Sequence, residues 1–133
     1  MFIELDLQSE TPIYAQLVDQ IVEGIASGTL QPGDPLPSIR SLAEDLGINL
    51  HTVNKAYNLL KQEGLLQVHR KKGVIIQPDG MPGVTEDFEE KLRRQLRSLA
   101  AAAAVRGMSE EAFAQESRSV YRDMITNRGG EQR

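Results

Sequence analysis

Apolar residues recur at steps of three and four along five stretches of the chain, and this spacing predicts five amphipathic helices. The first is predicted to open at Thr11 and Pro12, because threonine can cap a helix and proline fits its first position. Gly28 is expected to end this helix, since glycine readily adopts the left-handed conformation found beyond helix C-termini. Its apolar stripe consists of Tyr14, Leu17, Val18, Ile21 and Ile25.

Residues 33–64 predict two helices joined by a sharp turn. Ser38 and Asn49 are each expected to cap a helix N-terminus through a side-chain oxygen. Gly47 lies between these helices, where the chain must turn and a positive φ costs glycine little. Gly64 is placed to end the second helix. The two apolar faces that define this helix-turn-helix are Ile39, Leu42, Ala43 and Leu46, then Val53, Ala56, Tyr57 and Leu60.

Two short apolar runs follow Gly64 and predict a β-hairpin with a basic turn. Residues 65–68 and 74–76 are the predicted strands, the second rich in β-branched side chains. A helix-turn-helix followed by a basic hairpin is the layout of a winged helix. Residues 2–7 alternate apolar and polar only in part, so a short edge strand and an unstructured start both fit them.

Residues 78–84 contain two prolines and two glycines, which is typical of a linker. Thr85 and Ser109 are expected to cap two further helices, separated at Gly107, with a frayed tail from Asn127. Short helices with apolar faces are marginal alone, so these must pack on the winged helix or on a second copy of the pair. A homodimer is favoured, with an interface formed by Phe88, Leu92, Leu96, Leu99, Ala103, Phe113, Val120, Tyr121 and Met124.

The composition narrows the class of protein. The chain has 133 residues, no cysteine and two histidines, His51 and His69, so thiolate metal sites and disulfides are excluded and no metal or cofactor is expected. No signal peptide is expected, and no apolar run is long enough to span a membrane, so a cytoplasmic location is expected. The net charge of −4 disfavours indiscriminate nucleic-acid binding but leaves room for a local basic patch.

Four motifs stand out in the first 77 residues: Pro12-Ile13-Tyr14-x-Gln16-Leu17, Leu36-Pro37-Ser38-Ile39-Arg40, Thr52-Val53-Asn54-Lys55-Ala56-Tyr57 and Glu63-Gly64-Leu65. In these motifs the chain resembles the GntR family of bacterial transcription regulators, and the short remainder is similar to its YtrA-type subfamily. The resemblance implies a protein that is α+β but mostly α, with a winged helix-turn-helix at 1–77, a linker at 78–84 and a two-helix dimerisation unit at 85–133.

A regulator of this family is expected to bind double-stranded DNA as a homodimer on a palindromic operator, as a repressor. Side chains at the N-terminal end of the second helix would enter the major groove, and wing cations would meet the minor groove or phosphates. The chain departs from the family pattern at Lys71 and Val74 in the wing. The expected DNA contacts are Ser38, Arg40, Asn49, His51, Thr52, Asn54, Lys55, Arg70, Lys71, Lys72 and Gly73.

Two other classes of function are a winged helix that binds protein alone and an enzyme. A winged helix that binds only protein would not need the basic side chains at Lys55 and in the wing. An enzyme would need a nucleophile with its base, or a cofactor domain. No such set of residues is apparent, and the roughly 50 residues after the linker are too few for a cofactor domain, so an enzyme is not expected. No effector can be named, because the sequence predicts no ligand pocket in two short helices.

Overall fold

The computed structural model describes residues 3–130, with side chains to residue 125. One compact unit ends at Pro82 and a second covers Gly83–Asn127. The elements in chain order are α1 (Ile13–Ser27), α2 (Ile39–Leu46), α3 (Leu50–Gln62), β1 (Leu66–His69), β2 (Gly73–Ile76), α4 (Glu86–Val105) and α5 (Glu110–Gly130).

The helix-turn-helix follows the predicted capping pattern. Ser38 Oγ accepts from the Ser41 amide at 3.0 Å, and Asn49 Oδ1 accepts from the His51 amide at 2.7 Å. Gly47 lies between α2 and α3 with φ +67°, in the left-handed region that other residues rarely adopt. The turn is therefore fixed by local interactions at both of its ends.

The start of α1 differs from the prediction that Thr11 caps it. Pro12 is the capping residue, with φ −57° and ψ 149°, and no side chain caps this end. The Pro12 carbonyl accepts from the Ala15 and Gln16 amides. Thr11 is therefore one position too early to cap α1, and its own carbonyl accepts from the Gln16 side chain.

The N-terminal arm, Ile3 to Asp6, forms no strand, so the edge-strand alternative was wrong for the described residues; Phe2 lies outside them. Gln16 and Gln20 of α1 pair with the arm instead. The Gln16 carboxamide accepts from the Asp6 amide and donates to its carbonyl, and Gln20 does the same with Glu4. These pairs occupy the backbone groups that a neighbouring strand would otherwise satisfy.

The hairpin is antiparallel, with Leu66 opposite Ile76 and His69 opposite Gly73. Both strands differ by one residue from the predicted ranges of 65–68 and 74–76. The chain before α2 runs along β2 as well: Pro35 forms an isolated bridge with Ile75, and the Leu36 amide donates to the Val74 carbonyl at 2.9 Å. This segment connects the wing to the residues that lead into α2.

The core of the first unit lies between α1, α2, α3 and the hairpin. Tyr57 on α3 is fully buried, and its hydroxyl donates to the Pro37 carbonyl at 2.7 Å. This arrangement is a winged helix-turn-helix. The buried core residues are Leu17, Ile21, Leu30, Leu36, Leu42, Ala43, Val53, Ala56, Tyr57, Leu60, Leu66 and Ile76.

The second unit is a small helical domain made of α4 and α5. Thr85 Oγ1 accepts from the Phe88 amide and Ser109 Oγ from the Ala112 amide, so both predicted caps are present. No residue from 83 to 125 is buried. The backbone of α5 is helical through Gly130, so the predicted fraying from Asn127 is wrong as far as the described residues extend.

Candidate nucleic-acid interface

A surface concavity of about 570 Å³ opens between the start of α2, the start of α3 and the wing. Its wall brings together six of the eleven residues predicted to contact DNA: Ser38, Arg40, His51, Asn54, Lys72 and Gly73. Leu36, Ile39, Leu50 and Val74 complete the wall. Two cations and no carboxylate therefore line this surface, although the chain as a whole is acidic.

Arg40 is held at the concavity by the lead-in to α2. It is the second residue of that helix, two residues after the Ser38 cap, and it is exposed. The hydrogen bond from Tyr57 to Pro37 joins α3 to the backbone three residues before Arg40. The backbone that carries Arg40 and the exposed face of α3 therefore belong to one packed framework.

The exposed face of α3 begins at Asn49, whose side-chain oxygen is used as the cap. Its amide NH₂ remains able to donate to a partner. His51 and Asn54, two and five residues further along the chain, are exposed. Asn58 is also exposed and lies four residues after Asn54, hence on the same face. Asn58 was not among the predicted DNA contacts, and it does not line the concavity.

Four predicted residues lie outside the concavity wall besides Asn49. The Lys55 ammonium sits 3.9 Å from the centroid of the Tyr14 ring, a cation–π contact between α3 and α1. Thr52 is half-buried on α3. Arg70 and Lys71 are exposed in the wing loop. The predicted contacts thus fall into separate places: the concavity wall, the tip of the wing with Arg70 and Lys71, and the side of α3 where Lys55 contacts α1.

The wing tip is a three-residue loop, 70–72, between the paired residues His69 and Gly73. Gly73 has φ +77°, the left-handed residue that such hairpins require. His69 Nδ1 accepts from the amides of both Lys71 and Lys72, each at 3.1 Å. An acceptor at Nδ1 places the proton of the neutral ring on Nε2. His69 was not predicted to shape the wing.

Comparison with known proteins identifies the family. The sequence model of a protein family, bacterial regulatory proteins of the gntR family, matches residues 13–76. The HTH-type transcriptional repressor YtrA of Bacillus subtilis is 36% identical over 109 residues, which are 82% of this chain and 84% of that protein. The chain belongs to the GntR family. Its relatives in that family are transcription regulators.

Solved structures of other proteins share the fold. YtrA from Sulfolobus acidocaldarius, described as a GntR-family transcription factor, is 43% identical, with a TM-score of 0.54 over 91% of this chain and 97% of that one. AraR(DBD), solved in complex with an operator, is 27% identical, with a TM-score of 0.50 over 57% of this chain and 98% of that one. The match to the S. acidocaldarius protein covers both the winged helix and the small helical domain.

Among residues 3–130, no group of three or more Asp, Glu or His side chains is placed to hold a metal ion. No helix in the same range is both long and apolar enough to cross a membrane. Burial raises the pKa of Tyr57 from 10.0 to about 12, so this core phenol stays protonated near neutral pH.

Proposed function

We propose that this GntR-family chain is a sequence-specific transcription repressor that binds a palindromic operator as a homodimer. In this proposal residues 1–77 bind DNA, 78–84 form a linker and 85–133 hold two copies together. The B. subtilis relative that matches most of the chain is named a repressor, which supports this mode of regulation. Binding to an operator is supported by the AraR(DBD) complex, whose fold the first unit shares.

The observation that carries the proposal is the cationic concavity at the start of α3. A major groove admits one helix, and the residues at its N-terminal end meet base edges. Asn54 has the carboxamide that pairs with adenine N6 and N7, and Arg40 has the fork that pairs with guanine or phosphate. Ser38, Asn49, His51 and Thr52 would add hydrogen bonds to phosphates or bases.

The wing would contact DNA beside the recognition helix. Arg70 and Lys71 are exposed at its tip, and Lys72 and Gly73 border the concavity. Cations there would contact the minor groove or flanking phosphates, and this contribution to affinity would depend strongly on salt concentration. Lys55, held over Tyr14, would reach the backbone on the side of α3 that faces α1.

A homodimer is supported by the exposed apolar faces of α4 and α5. Phe88, Leu92 and Leu96 are each at least 40% exposed, although they repeat on one helical face. A monomeric protein rarely leaves so continuous an apolar stripe in water. A second copy would bury it in a four-helix C2 interface, to which Leu99, Ala103, Phe113, Val120, Tyr121 and Met124 would contribute.

The proposal is tested by selecting duplexes from a random pool with the full chain and titrating the recovered operator in mobility-shift assays. Arg40→Ala should weaken operator binding by roughly 1–3 kcal/mol, because it removes a bidentate donor. Lys61→Ala is the matched control, since it loses the same charge in the last turn of α3. Recovery of no specific duplex, or an Arg40→Ala protein that binds like wild type, would contradict the proposal.

A further inference from the structure

Leu50 is an exposed apolar side chain at the place where the recognition helix begins. It is the first residue of α3, and 38% of it is exposed, whereas Val53, Ala56 and Tyr57 of the same helix are fully buried. Its side chain lines the cationic concavity together with His51 and Asn54. An apolar group therefore stands among the polar side chains that would face DNA.

The other apolar residues of the concavity have structural partners. Leu36 is buried in the core, and Ile39 and Val74 are half-buried and pack against it. Leu50 alone among the lining residues is a large, exposed hydrophobic side chain outside that cluster. Single exposed apolar residues are common on protein surfaces, so its position in the concavity is what gives it meaning.

The chemistry of the major groove limits what Leu50 can recognise. A leucine side chain neither donates nor accepts a hydrogen bond. Base edges in the major groove otherwise present donors and acceptors, and their one apolar group is the C5-methyl of thymine. Covering that methyl removes apolar surface from water, which favours thymine over a base that lacks it.

We infer that Leu50 is a specificity-determining residue that contacts a thymine C5-methyl in each half-site of the operator. This inference rests on the proposed DNA-binding function and deepens it, because it assigns a base preference to a residue. Arg40 and Lys72 would bind the phosphate backbone of the DNA, while Leu50 discriminates at one base pair. Thymine is preferred at that position through packing, with no hydrogen bond from the leucine.

The test uses operator duplexes in which each thymine is replaced in turn by deoxyuridine, which removes only the methyl. With the full wild-type chain, one symmetry-related pair of positions should lose affinity by about threefold to fivefold per half-site, the value of one buried methyl group. With Leu50→Ala, the thymine and deoxyuridine duplexes should bind equally. Leu7→Ala, at an exposed leucine that follows the N-terminal arm, should keep the wild-type ratio.

The comparison forms a double-mutant cycle between one side chain and one methyl group, so a general loss of affinity cancels. Leu50→Ala should fold, because the residue is exposed and alanine is a strong helix former. If the wild type binds its operator tightly and no deoxyuridine matters, or if the preference persists in Leu50→Ala, the inference is overturned while the proposed function stands. Failure to bind any duplex would overturn both.

Discussion

The Tyr57 hydroxyl donates a hydrogen bond of 2.7 Å to the Pro37 carbonyl oxygen, across 20 residues of sequence. Tyr57 lies fully buried on the core face of α3, and Pro37 immediately precedes the Ser38 cap of α2. Proline cannot donate from its own nitrogen, so this carbonyl is the hydrogen-bonding group that its backbone offers. The bond fixes the start of α2 on α3 and thereby the position of Arg40.

Tyr57→Phe should lower the free energy of unfolding by about 1 kcal/mol, because the core packing survives while the Pro37 carbonyl loses its donor. Urea unfolding should show a lower midpoint with an unchanged slope, since the exposed area changes little. Tyr14→Phe is the control, because it also removes one phenol hydroxyl but keeps the ring that lies under the Lys55 ammonium. Equal midpoints for wild type and Tyr57→Phe would show that the hydrogen bond contributes nothing net.

Stability at alkaline pH should also depend on Tyr57. Burial raises the pKa of its phenol from 10.0 to about 12 in the folded chain. Between these values the unfolded state binds fewer protons than the folded state, so stability falls as pH rises. The slope is about 1.4 kcal/mol per pH unit for one such group. The advantage of wild type over Tyr57→Phe at pH 9 should therefore vanish near pH 11 in urea titrations, and parallel stability curves would contradict this.

The features that were predictable from the sequence depend on residues close together in the chain. Ser38, Asn49, Thr85 and Ser109 cap helices by bonding to amides two or three residues later, so residue type and spacing suffice. The glycine turn at Gly47 is equally local. The helix-turn-helix and the wing follow from these signals and from apolar periodicity.

The features that the sequence did not predict join distant residues. Gln16 and Gln20 bond to an arm that lies 10 and 16 residues earlier, and nothing in the pattern of the arm marks that pairing. Pro35 pairs with Ile75 through a single bridge, which leaves no strand signal. The Lys55 contact with Tyr14 requires the packing of α1 on α3, which determines which side of α3 faces outward.

His69 should control the shape of the wing tip. His69→Ala removes the acceptor of the Lys71 and Lys72 amides, so the loop should open more often and these amides should exchange with solvent several-fold faster. Operator affinity should fall as well, because loop order lost in the free protein must be restored on binding. Amide exchange by NMR and mobility-shift titration provide the two measurements.

The matched variant for the wing is His69→Asn. An asparagine oxygen can accept from an amide two residues later, as in Asx turns, and should retain much of the protection. Gln67→Ala, on the same strand but away from the loop, should leave the exchange of both lysine amides unchanged. Unaltered exchange in His69→Ala would mean that the hairpin backbone alone fixes the tip.

The apolar faces of the second unit should determine both assembly and DNA affinity. Replacing Leu92 and Leu99 by Asp would place carboxylates in the proposed interface, where an unpaired charge costs roughly 3–5 kcal/mol. Light scattering should then report a monomer, and operator affinity should fall steeply because the second half-site is no longer bound intramolecularly. Val84→Asp is the control, since it places a carboxylate at an exposed position ahead of α4.

A chain ending at residue 79 should likewise be monomeric and protect only one half of the palindrome in footprinting. A double variant that remains dimeric, or a monomer that protects both half-sites at wild-type concentrations, would assign another role to α4 and α5.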